Sequence, residues 1–131
     1  MNYVAVDTSS IIAVVLNEPE KSKLIEITSE AELIAPPSVH WKMGNAFSAM
    51  FKKKRLKLRE AIAAIKEYRK IPIQFVNVEL ESSIRMAEKE NIYAYDAYIL
   101  VCAKKYNAPL LSLDEAQRVK AVKNGIKVLE V

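Results

Sequence analysis

The chain has 131 residues, 51% hydrophobic and 27% charged, with a formal net charge of +4. This is globular composition for a single domain over residues 1–131, and it excludes disordered, collagenous and fibrous classes. The small excess of cations leans toward a polyanionic partner without requiring one.

The predicted elements alternate along the chain. Tyr3–Val6 is a short β-branched strand, and a helix follows from Ser10 to Leu16. Pro19, a residue favoured at the first helical position, opens a helix over Glu20–Thr28. Leu33–Ala35 is a strand closed by Pro36 and Pro37. Val39, Met43, Ala46, Phe47 and Met50 have helical spacing, which predicts a long helix from Ser38 to Lys53. Leu58–Arg69 is the next helix, ended before Pro72. Ile73–Val78 reads as a strand and Glu79–Glu90 as a helix with Leu80, Ile84 and Ala87 on one face. Tyr95–Tyr106 is a very apolar helix, buried on most sides. Leu110–Leu113 is a strand, Glu115–Asn124 a helix closed by Gly125, and Lys127–Leu129 a last short strand.

The strands are nearly continuous apolar runs and helices separate them. Both features predict an α/β fold with a central parallel sheet covered on two faces. Such folds bind ligands beyond the carboxyl ends of the strands. Residues 1–16 lack a basic leader region, and no apolar stretch approaches a membrane span. A soluble, cytoplasmic protein with no membrane contact is expected. The lone Cys102 lies in the apolar run AYILVCA and reads as a buried thiol.

Three acids sit where that geometry matters. Asp7 ends VAVD, Asp96 lies in AYDAYIL, and Asp114 ends PLLSLD. Each alone has a structural reading as a helix cap or first-turn acid, with Ser112 and Glu115 at capping-box spacing. Together they suggest a hard-cation site. Converging carboxylates without a cation would repel until one protonated, and bound Mg²⁺ or Mn²⁺ removes that conflict. Other chemistries lack their parts. His40 has no histidine or cysteine near it in sequence for zinc, the two glycines make no phosphate-cradling loop, and no serine has a nucleophile-elbow context. An aspartyl-phosphate on Asp7 wants a second acid two residues on, where Ser9 stands. The run KKKRLKLR at residues 52–59 supports two readings. It is a solvated helix end with cations near its C-terminus, or a phosphate-facing patch of Lys52, Lys53, Lys54, Arg55, Lys57 and Arg59.

The segments VDTSSIIAV, NAF, YAYDAYILVCAKKYNAPLLSLD and GIKVLEV together resemble the PIN-domain ribonucleases, and within them the VapC toxins of type II toxin–antitoxin pairs. The resemblance spans essentially the whole chain. It implies a three-layer α/β/α PIN-like fold, a homodimer, and a Mg²⁺- or Mn²⁺-dependent endoribonuclease neutralised by a VapB-like antitoxin. Asp7, Asp96 and Asp114 match family acids that hold the metal, while Ser9 and Ser112 match supporting hydroxyls. The family's second acid is a Glu three residues before an Asn. Asn45 is present, and Lys42 stands three residues before it.

Lys42 therefore becomes the main question about this chain. An ammonium and a divalent cation roughly 6 Å apart repel by roughly 5 kcal/mol at an effective dielectric near 20. The lysine either swings to solvent or folds inward and pairs with Asp7 or Asp96, taking the cation's place. Either route weakens metal binding and slows hydrolysis. The alternatives are a non-catalytic RNA- or antitoxin-binding module, and a register in which Lys42 is an ordinary exposed helix residue.

Overall fold

A computed structural model describes residues 2–131. Strand β1 (Tyr3–Val6) leads into helix α1 (Thr8–Val15), then α2 (Lys21–Thr28) and β2 (Glu32–Ala35). Helices α3 (Ser38–Lys52) and α4 (Leu58–Tyr68) form a hairpin before β3 (Ile73–Phe75). Helices α5 (Leu80–Glu90) and α6 (Ala94–Lys105) precede β4 (Leu110–Leu111) and α7 (Glu115–Lys123).

The four strands make one parallel sheet in the order β3-β2-β1-β4. Alternation along each strand assigns its side chains to two cores. Val4, Val6, Ala35 and Leu111 pack beneath α1 to α4, with Ile11, Leu24, Met43 and Phe47. Ala5, Ile34 and Leu110 pack on the other face beneath α5 to α7, with Met86, Leu100 and Ala121. The fold is thus the expected three-layer α/β/α arrangement. Helix α6 is apolar nearly all round because it lies against β1 and α5, and its buried run includes Cys102. Among the described residues no helix is long and apolar enough to cross a membrane.

Several boundaries differ from the sequence-based expectations. Helix α1 begins at Thr8, because Asp7 caps it. Pro19 is not the first residue of α2: Glu20 is the cap and Lys21 the first helical residue. Strand β3 stops at Phe75, and β4 stops at Leu111 because Ser112 turns out of the sheet toward Asp7. The strand expected at Lys127–Leu129 is reduced to one parallel bridge between Leu110 and Val128. Gly125 has φ +75 after the cap of α7, the left-handed conformation that glycine adopts without steric cost.

Beside β1 the strand order changes direction: α1, α2 and β2 lie to one side and β4 to the other. At such a switch point the strand ends splay and open a crevice. Asp7 and Ser112 are the first residues past the two splayed ends.

Candidate active site

Asp7 is the N-cap of α1 and is buried, at 4% exposure. Its Oδ1 accepts from Ser9 Oγ at 2.7 Å and from the Ser10 backbone N–H at 3.1 Å. Its Oδ2 accepts from Ser112 Oγ. The same hydroxyls stitch the two strand ends together. Leu113 N–H donates to Ser9 Oγ at 2.9 Å, Asp114 N–H to Ser112 Oγ at 3.1 Å, and Ser10 Oγ to the Leu111 carbonyl at 3.0 Å. Burial pushes the Asp7 carboxyl above its usual range, because charge is costly away from water. The Ser112, Ser9 and Ser10 hydrogen bonds and the Lys42 charge oppose that rise.

Asp96 lies in the first turn of α6, where a carboxylate complements the positive helix end. Lys42 reaches across from α3, and its Nζ donates to Asp96 Oδ1 at 2.7 Å. Both side chains are about one-third exposed, at 33% and 27%. Lys42 has therefore turned inward, the second of its two expected routes. A small cleft is lined by Asp7, Thr8, Ser38, Val39, Lys42, Tyr95 and Ile99, and Lys42 links it to Asp96.

Asp114 does not join them. It is exposed and caps α7, accepting from the Gln117 N–H at 3.3 Å. Gln117 in turn donates its side-chain amide to the Asp96 carbonyl at 2.9 Å, so the Asp114 carboxylate is tied to Asp96 through α7, while its backbone N–H meets the Ser112 hydroxyl that holds Asp7. Ser112 is not that helix's cap, and the capping-box reading of Ser112 and Glu115 does not hold. Asn45 is exposed on α3, its carbonyl accepting from Ser48 Oγ at 2.8 Å.

A divalent cation does not fit these residues as they stand. Among the described residues no three His, Cys, Asp or Glu groups lie close enough to share one. Both Asp7 oxygens are taken by hydroxyl and amide donors, and Asp96 Oδ1 by an ammonium. The cleft holds about 10 Å³, close to the least that admits one water. Mg²⁺ keeps several waters of its own.

Thr8, Ser38 and Tyr95 line the cleft although the sequence argument did not single them out. Thr8 and Ser38 had a usable signal: each lies just past the end of a strand, as Asp7 does. Tyr95 had none beyond adjacency to Asp96.

The basic run occupies the α3–α4 turn, and every one of its six cations is exposed. Lys52 and Lys53 end α3, where the helix dipole favours them. Lys57 and Arg59 stand at the N-terminus of α4, where the dipole does not. The helix-end explanation therefore covers only Lys52 and Lys53 of the six. None of the six makes an ion pair among the described residues.

The chain is thus a parallel α/β/α domain with a buried acid at its switch point and an exposed cationic α3–α4 turn. The PIN domain family model matches residues 4–123, and the chain belongs to that family. PIN domains are commonly nucleases that act on nucleic acids, generally with divalent metal ions. The fold is similar to the crystal structure of PAE2754 from Pyrobaculum aerophilum. That match has a TM-score of 0.71 at 18% identity over 91% of this chain and 79% of the other. It is also similar to a domain of a functionally unknown protein from Methanocaldococcus jannaschii, with a TM-score of 0.60 at 23% identity over 100% and 93% of the chains. At such identities the likeness is one of fold alone. No curated protein is matched by the chain.

Proposed function

We propose that this chain is a VapC-type PIN protein that engages RNA, with metal-dependent cleavage suppressed by its own Lys42. The observation that carries this reading is the 2.7 Å ion pair between Lys42 and Asp96. It puts a tethered ammonium where the family resemblance expects a carboxylate, and so replaces a cation-binding group by a cation. Asp7, Asp96 and Asp114 are the acid positions, and Ser9 and Ser112 hold Asp7 in place. Lys52, Lys53, Lys54, Arg55, Lys57 and Arg59 are the contacts to RNA phosphates. The proposed partners are RNA, a VapB-like antitoxin and a second copy of the chain, in the cytoplasm.

One comparison tests the reading. The chain and its Lys42→Glu variant are incubated with RNA and Mg²⁺ or Mn²⁺, and cleavage is followed. The variant should cleave on the order of a hundredfold faster, the size of a single-group electrostatic effect in an active site. Equal activity in both would mean Lys42 is tolerated. Inactivity of both, from folded protein that also binds no metal, would sink the nuclease lineage. Binding without cleavage should weaken steeply with added salt, because phosphate contacts release counterions.

A further inference from the structure

The flank of α3 facing away from Asp96 carries a second feature that the cleft does not use. A groove of about 420 Å³ runs between α3 and α4, within the usual size range for a small-ligand site. Met43, Phe47 and Ile65 form its apolar floor, and His40, Trp41, Tyr68 and Arg69 surround one end. Here four rings meet. His40 packs edge-on to Trp41 at 5.8 Å and to Tyr68 at 5.4 Å, and lies tilted against Phe75 at 4.6 Å. The Tyr68 hydroxyl is bonded to His40 Nδ1 at 2.7 Å, which fixes the imidazole and leaves Nε2 as the nitrogen without a protein partner. Burial pushes the Tyr68 phenol up to about 12, so it keeps its proton in that bond.

Trp41 is not used by the fold. It is 67% exposed, and Phe75, which packs on His40, is 40% exposed. The apolar character continues along the hairpin through Phe51, Leu58 and Ile62, all exposed, and ends at the cationic turn. From Trp41 to Lys52 is about 17 Å at 1.5 Å per helical residue.

The rim decides what suits this groove. Arg69 stands at the aromatic end and six cations at the other. The nearby acids are already engaged, Glu60 by the Lys57 N–H at 2.9 Å and Glu67 by Lys70 at 3.2 Å. Exposed aromatic faces with free cations alongside match a ligand of flat rings joined by phosphates.

We propose that the α3–α4 groove is a stacking site for an unpaired nucleotide of single-stranded RNA. Its base lies on Trp41, its phosphate on Arg69, and the strand runs on to the Lys52–Arg59 turn. The proposal rests on the RNA-binding reading above and adds a place where an unpaired nucleotide is held and the residues that hold it. A base in a duplex is already stacked on its neighbours and offers Trp41 no face.

Trp41 is the only tryptophan in the chain, so its emission reports this site alone. The full chain is titrated with a single-stranded oligoadenylate of about eight nucleotides and with a duplex of the same length. The single strand should quench the emission, and the duplex should not. Trp41→Ala should weaken single-strand binding by about tenfold, while Trp41→Phe retains most of it. If the oligonucleotide binds with strong salt dependence, and loses affinity in Lys53→Ala and Lys54→Ala, but leaves the emission and the Trp41→Ala affinity unchanged, the groove is not the site and RNA binding stands. If no oligonucleotide binds, both readings fall. A Trp41→Ala chain that binds RNA normally but loses self-association or a protein partner would overturn the proposal in favour of a protein-docking face.

Discussion

Asp7 and Glu90 are both buried carboxylates, and their surroundings drive them in opposite directions. Asp7 is gripped by neutral donors, two serine hydroxyls and one backbone amide, with Lys42 as its one charged neighbour of note. Burial dominates and its carboxyl rises. Glu90 sits at the end of α5 against α7. Its Oε2 accepts from Asn124 Nδ2 at 3.0 Å, and its Oε1 lies 3.2 Å from Lys123 Nζ and 3.7 Å from Lys120 Nζ. Lys89 donates to Asn124 Oδ1 at 3.0 Å and closes the knot. The Asn124 hydrogen bond, followed by the Lys123 and Lys120 charges, outweighs burial and holds Glu90 below its usual range. Burial alone therefore does not decide the state of an acid; the hydrogen bonds and charges that touch it do. A knot of opposite charges fastens two helices. An acid held by hydroxyls keeps an ionisation that a neighbouring charge can move.

The comparison is easiest to break at Glu90. Glu90→Ala takes the shared partner from two lysines and one of the two acceptors from the Asn124 amide, which keeps the Lys120 carbonyl at 2.8 Å. Thermal unfolding should show the largest loss of the set, with Tm lower by roughly 5 °C or more. A neutral result would mean the knot is decorative. Ser112→Ala should cost less, about 1 kcal/mol in urea denaturation, because a buried hydroxyl that both donates and accepts is lost. It should also push Asp7 higher still, since a bond to the charged form has gone.

Asp7→Asn should be visible mainly as a slope against pH, its difference from wild type smallest in acid. The folded state holds the Asp7 proton more readily than the unfolded chain, so this group's contribution is most favourable in acid. It declines as pH rises from about 3.8 through the raised folded value. Wild type should therefore lose stability relative to Asp7→Asn across that window. Glu90 has the opposite sign: its contribution is present above about 4.5 and is lost as pH falls through the lowered folded value. Stability curves of the two variants that slope alike against wild type would refute the contrast.

The sequence made one end of this comparison legible and hid the other. Asp7 was readable because an acid directly after a β-branched strand in a parallel pattern must lie at the sheet edge. Asp96 was readable from its place at the head of an apolar helix. Asp114 followed the same grammar, but its side chain caps α7 in this structure. The chain leaves the sheet at Ser112, and two residues later the side chain turns to the backbone of its own helix instead of the crevice. Pairing across 54 residues made the inward turn of Lys42 one of two options, and only tertiary geometry chose between them. Glu90 gave no sign. In the run EKEN it looks like solvated helix end, and the cations that bury it lie on α7, some thirty residues further on. The final strand failed for a related reason: β4 is two residues long, so little of it remains to pair with residues 127–129.

The Ser112–Asp7 bond spans 105 positions of chain, and this sets a timetable during synthesis. Asp7 is synthesised before Ser112, and the strand that delivers Ser112 follows roughly 5–20 s later at ordinary elongation rates. Through that interval β1 has no neighbour on its β4 side, and its acid is held only by Ser9 and the Ser10 amide. Any chemistry or recognition that depends on a fully clamped Asp7 is withheld from the nascent chain, and it begins only when nearly all of the fold has been translated.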